Sequence, residues 1–142
     1  NGNGELTGSW WVDETGCCDG PITITNTYSC GVARDATIEW LTRHGERFEE
    51  GASGGLPVAG ETDDSYLNDM SGFHIRREHV FEAIENACSG PIEEGSVGGG
   101  TGMILYGLKG GSGTASRCVP YAVPRAPRGC RTTAVDCGHV RR

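Results

Sequence analysis

The sequence lacks any run of 18 apolar residues, so no segment is long enough to cross a bilayer as a helix. It has no surplus of positive charge either. A formal net charge of −7 argues against nucleic acid or an anionic membrane as the main partner. There is no Cys-x-x-Cys pair, and no histidine stands at metal-ligand spacing from a cysteine. The cysteines number seven, an odd count that fits no regular disulfide framework. Even the adjacent Cys17 and Cys18 sit in a turn-like stretch, and reduced thiols in a cytosolic protein are expected. No secretory apolar region opens the chain, and no repeat recurs at 20–50 residues. Asn1-Gly2-Asn3-Gly4 reads as the interior of a longer polypeptide.

What the sequence does have is glycine, 24 of 142 residues, enough to bring a 36% apolar fraction to an ordinary composition. The length suits one domain with a moderate core. Two glycine clusters, within 95–102 and 110–113, flank the apolar run 103–108. That run is expected to form one short buried strand. Glycines on both sides imply sharp turns, positive φ or close approach of backbone, so the segment reads as the floor of a site. Phosphate binding fits poorly. A phosphate loop needs Gly-Lys followed by Ser or Thr, whereas Lys109 precedes Gly110 and Gly111. A dinucleotide fingerprint needs a helix after its glycines, and here a strand-like run follows.

The remaining pattern is α/β. A short turn or helix begins at Trp10 and closes at Gly16. Alternating β-branched residues predict a strand over 22–25, and helical spacing predicts a helix over 32–43. A polar loop over 45–56 leads to a short strand at 58–61 and a turn at 62–65. Val80, Phe81, Ile84 and Ala87 share one face of a helix expected over 78–87, before Gly90-Pro91. His74 and His79 are five apart, which is not one helix face, so a metal pair is not expected. Adjacent Glu93 and Glu94 read as solvated carboxylates. Residues 118–142 form an irregular basic tail: from 117 onward there are six arginines and one acid, Asp136. A basic arm, an irregular end and out-of-frame sequence all remain open for it.

Six collinear blocks carry a resemblance. They are Asn1-Gly-Asn-Gly-Glu-Leu-Thr-Gly8, Gly20-Pro-Ile-Thr-Ile-Thr-Asn-Thr27, Gly31-Val-Ala-Arg-Asp35, Tyr66-Leu-Asn-Asp-Met-Ser-Gly-Phe-His74, Glu78-His-Val80, and the glycine segment from Gly95 through Lys109-Gly-Gly-Ser-Gly-Thr-Ala-Ser-Arg117. Over residues 1–117 the chain resembles the α-chain region of DmpA-type L-aminopeptidases and D-amidase/esterases, which include the β-peptidyl aminopeptidases. The resemblance implies an αββα four-layer sandwich of the DmpA and ornithine acetyltransferase type, incomplete here. It implies a self-processing serine aminopeptidase of the N-terminal-nucleophile class, acting on short peptides, amides or esters without metal or cofactor. The freed serine attacks with its own α-amine as base. That serine is expected beyond Arg142, so the partner is the remainder of the same polypeptide, and a homo-oligomer is expected when complete. No catalytic residue is expected within these 142 residues.

The resemblance also assigns positions. Glu61 matches a glutamate near the substrate's free amine, where a charge-assisted hydrogen bond is apt. Asp63 stands where the family commonly has a tyrosine, unless Tyr66 takes that place. Gly99, Gly100 and Thr101 stand for the glycine segment as substrate-binding backbone. Gly138 aligns with the family's oxyanion asparagine, a donor whose loss typically costs about 10²–10³ in rate. Asn26 and Asn68 are assigned structural roles. The alternatives are an inactive remnant serving in binding or assembly, and an acyltransferase of related fold. Exposed strand edges and poor solubility are expected of the 142 residues alone.

Overall fold

A computed structural model describes residues 3–16, 18, 20–45, 56–115 and 134–136. Gly138, most of the 45–56 loop and nearly all of the basic tail lie outside the described residues. Helix α1 spans Ser9–Thr15 and ends at Gly16, whose φ of 70° suits glycine. Strand β1 covers Ile22–Asn26, α2 covers Cys30–Arg43, β2 covers Val58–Thr62 and α3 covers Arg77–Glu85. Two short strands follow, β3 (Ile104–Leu105) and β4 (Leu108–Lys109), and Ala134–Asp136 forms β5 within the tail.

The sheet order is β2-β1-β5, all parallel, with Thr23 beside Ala59 and Thr25 beside Glu61. The alternation of β1 is real, but the buried side is the polar one. Thr23 and Thr25 face inward while Ile24 is 38% exposed. Small residues explain this. Cys30, Ala33 and Ala36 on α2 let the helix approach Ala59 closely, and Thr23 fits there by donating to the Val58 carbonyl at 3.4 Å. The Cys30 thiol donates to the Ala59 carbonyl at 3.1 Å. Helix α3 adds Val80 and Ile84 to this core. Between the helices, Glu39 accepts from both Arg43 and Arg77, and Arg43 lies over the Phe81 ring at 5.1 Å.

One helix layer on one sheet face is what the described residues form. On the other side of β2, Glu5, Leu6 and Thr7 run antiparallel to its outer edge. Thr7 N–H donates to Ala59 O at 2.9 Å and Glu61 N–H to Glu5 O at 3.1 Å. The open edge expected from the sequence is therefore covered at β2, which removes one template for edge-to-edge pairing.

The glycine segment differs most from expectation. Residues 103–108 are not one buried strand. They reverse at Tyr106 and Gly107, with φ of 51° and 78°, and pair Ile104 with Lys109 in a two-residue hairpin. Positive φ at both central residues matches the right-handed twist of the flanking strands. The side chains of β3 and β4 are exposed rather than buried.

Candidate functional site

Because β1 and β2 are parallel neighbours, their carboxyl ends lie side by side, and the chain leaving each end must diverge. The crevice outside such ends is where open α/β sheets bind ligands. Here it is a cleft of about 750 Å³. Thr25, Asn26 and Thr62 form its strand-end floor, the 64–76 loop and His79 of α3 form one wall, and Gly98, Gly99, Thr101 and Gly102 form the other.

The glycine wall fits because side chains would not. A Cβ on Gly102 would come within 2.4 Å of Asp64 Cβ, and one on Gly100 within 2.1 Å of the Ser112 nitrogen. Val97 O accepts from Gly100 N–H at 2.9 Å and Gly98 O from Thr101 N–H at 3.1 Å, closing the Gly98–Gly100 turn. Thr62 ties that turn to β2: its hydroxyl lies 3.3 Å from both Thr25 O and Gly99 O.

Of the residues singled out from sequence, Gly99 and Thr101 line the cleft. Gly100 is buried behind them. Glu61 is half-buried near the end of β2 and its Oε2 accepts from the Thr27 hydroxyl at 2.6 Å; it does not line the cleft, although the next residue, Thr62, does. Asp63 is exposed, and its Oδ1 accepts from the Ser65 N–H at 2.9 Å. Hydrogen bonds from the Ser65 side chain and backbone hold the Asp63 carboxyl below its ordinary range. Tyr66 is 85% exposed and does not line the cleft. Glu94 accepts from Thr114 through both N–H and hydroxyl, at 3.0 and 2.7 Å, which latches the base of the glycine segment. His79 accepts the Arg76 N–H at Nδ1, and His74 Nε2 lies 3.4 Å from Asp69. No group of three His, Cys, Asp or Glu side chains suited to a metal occurs among the described residues.

Sequence reasoning did not single out Thr25, Thr62 or Asp64, and it gave Asn26 and Asn68 only structural roles. Asn68 does donate to Asp64 Oδ2 at 2.9 Å, yet both line the cleft. Thr25 Oγ1, Asn26 Oδ1 and Asp64 Oδ1 are buried with no hydrogen-bond partner among the described residues. Buried polar atoms rarely go unpaired, so the cleft walls offer acceptors to an N–H or O–H donor. The available signal was position: polar residues at the carboxyl ends of adjacent parallel strands.

The profile of peptidase family S58 matches residues 1–133. The β-peptidyl aminopeptidase BapA of Sphingosinicella microcystinivorans is 51% identical over 122 residues, covering 84% of this chain and 29% of its own length. Among solved structures, the L-aminopeptidase D-Ala-esterase/amidase of Ochrobactrum anthropi, a prototype for the serine aminopeptidases and a variant of the Ntn hydrolase fold, superposes with a TM-score of 0.67. It is 44% identical over 77% of this chain and 31% of its own. A Burkholderia sp. β-aminopeptidase gives 0.64 at 41% identity, over 75% of this chain and 29% of its own. The chain thus spans 29% of the length of that BapA relative.

Proposed function

The chain belongs to peptidase family S58, and from that premise we propose that it forms part of a self-processing serine aminopeptidase. The substrate class is short peptides, amino-acid amides or esters with a free amino terminus. The nucleophile is a serine of the remaining polypeptide, freed by scission of the bond before it. Its hydroxyl adds to the substrate carbonyl while its proton passes to the serine's own α-amine. The amine of the substrate then leaves with that proton, and water hydrolyses the acyl ester. No cofactor enters this chemistry.

Within the described residues the roles are those of recognition. Glu61 receives the substrate ammonium, an interaction supported by its half-buried carboxylate and its place next to the cleft-lining Thr62. Gly99 and Thr101 present backbone to the substrate, and Gly100 behind them packs against Gly95 and Ser112 where a side chain would collide. Asp63, replacing an aromatic residue of the family, adds an exposed negative charge between the cleft-lining Thr62 and Asp64 and shifts preference toward substrates with a basic second group. Gly138 supplies no side-chain donor to the oxyanion, leaving that task to backbone. The outer face of β1, with Ile24 exposed, suits the second sheet of an αββα sandwich. The complete protein is proposed to be a cytosolic homo-oligomer.

The observation that carries this reading is a carboxylate-bordered, glycine-walled cleft at parallel strand ends, in a chain matching the family over residues 1–133. It is tested with the full-length gene product, by release of p-nitroaniline from amino-acid p-nitroanilides and by mass spectrometry of the purified protein. Two polypeptides, the second beginning with serine, together with turnover, are expected. An uncleaved and inactive product would indicate an assembly subunit instead, and acetyl transfer to glutamate an acyltransferase.

A further inference from the structure

Residues 94–114 close on themselves. Gly95 and Ser112 exchange backbone hydrogen bonds of 2.9 and 2.8 Å at the base, and the β3–β4 hairpin forms the far end. Ser112 Oγ also donates to Val97 O at 2.8 Å. Across this loop reaches Lys109, the sole lysine of the sequence. Its Nζ donates to Gly100 O at 3.1 Å and to Gly110 O at 2.6 Å. Gly100 O belongs to the turn whose neighbours Gly99 and Thr101 face the cleft. The adjacent carbonyl, Gly99 O, is held by Thr62 of β2 at 3.3 Å. Two successive carbonyls of one glycine turn are thus held by different elements, one by the strand that carries Glu61 and one by the hairpin.

Three consecutive glycines have little intrinsic preference for any one conformation, so a wall built from them needs outside restraint. Exposed lysines ordinarily keep their rotamer freedom and a hydrated ammonium. This one ends on two backbone carbonyls, and a compact ammonium with three donors can serve both together.

We propose that Lys109 is a positioning residue: by pinning the Gly100 carbonyl it fixes the Gly98–Gly100 turn as the wall that the substrate meets. Lys109 itself does not line the cleft. This assignment rests on the aminopeptidase reading for its kinetic consequence, but the pin itself has a readout independent of turnover.

In the full-length protein, Lys109→Met removes the ammonium, Lys109→Gln leaves a neutral donor and Lys109→Arg keeps the charge. KM for an amino-acid p-nitroanilide is expected to rise in the order wild type, Arg, Gln, Met, by about tenfold at the end of the series. The effect on kcat stays within about threefold. Lys109→Met combined with Thr62→Val is expected to be sub-additive, since both loosen one turn. Hydrogen exchange over residues 98–103 should quicken about tenfold in Lys109→Met and return toward wild type in Lys109→Arg. If the Met variant does not fold, the Gln and Arg variants carry both measurements, with faster exchange and higher KM in Gln. Wild-type KM across the series, or exchange over 98–103 unchanged, would overturn the assignment. An inactive wild-type protein would defeat the hydrolase reading, while the exchange measurement would still decide whether Lys109 pins the turn.

Discussion

The helix-covered sheet and the glycine segment are built on opposite principles. In the first, small apolar side chains of α2 pack on β1 and β2, α3 packs against α2, and Val80, Cys30, Ala33 and Ala59 are completely buried. In the second, residues 95–112 are held by backbone hydrogen bonds, and several of their glycines leave no room for a Cβ. The sheet layer tolerates no loss of volume; the glycine segment tolerates no gain. The cleft lies where the two meet, with a floor fixed by packing and a wall fixed by backbone bonds.

Substitution of glycines sharpens that contrast most. Gly100→Ala would set a Cβ 2.1 Å from the Ser112 nitrogen and 2.7 Å from Gly95 O, both backbone atoms with little freedom to yield. It should cost about 3 kcal/mol or more in urea denaturation of the full-length protein, with loss of the cleft wall. Gly31→Ala, on α2 with nothing within 4 Å of the new Cβ, should instead stabilise by about 0.5–1 kcal/mol. Equal effects at the two positions would break the comparison.

The reverse experiment removes volume. Val80→Ala, at a fully buried side chain, should cost about 2 kcal/mol in the same denaturation assay. Glu61→Gln keeps the shape but removes the charge, and should raise KM for free-amine substrates about tenfold or more with stability little changed. A KM unchanged by this substitution would remove Glu61 from ammonium recognition.

The smallest effect is in pH. Burial, with Glu5 and then Glu61 adding repulsion, pushes the Cys30 thiol above its ordinary value of 9.0. The fold therefore binds this proton more tightly than the unfolded chain does. Its contribution is complete below that ordinary value and is lost as pH rises past about 9 toward the raised one. Stability should decline in that alkaline window in wild type and less in Cys30→Ala. At neutral pH iodoacetamide should modify exposed Cys88 before buried Cys30, read by peptide mass spectrometry.

Much of this architecture was legible because it depends on period. The spacing of Ala33, Ala36 and Leu41 gave α2, that of Val80 and Ile84 gave α3, and Ile-Thr alternation gave β1. Period does not say which side of a strand is covered, so the inward threonines of β1 could not be read. The hairpin escaped because Tyr106 occupies a position usually marked by Asn or Asp before Gly, and a tyrosine at positive φ gives no local signal. Helix α3 stops at Glu85, before the apolar Ala87, because Asn86 leaves helical geometry at φ −93° and ψ 3°, where its side-chain amide donates to Glu82 O at 2.8 Å. In the cleft, Asn26 and Thr62 look like ordinary strand-end residues. Only the parallel pairing of β1 with β2 brings them together, and that pairing joins segments about 36 residues apart. Glu61 was reached through family resemblance, whereas the glycine segment was read as part of a site from its local density of glycine, and it forms a wall of the cleft rather than its floor.

The most direct test is a crystal structure of the full-length protein with a slowly hydrolysed amino-acid amide bound. The predicted result is an ammonium at the Glu61 carboxylate and the amide carbonyl against the backbone of Gly98–Gly100. Electron density for the amide elsewhere, with the strand-end cleft empty, would contradict the assignment of this cleft to the substrate.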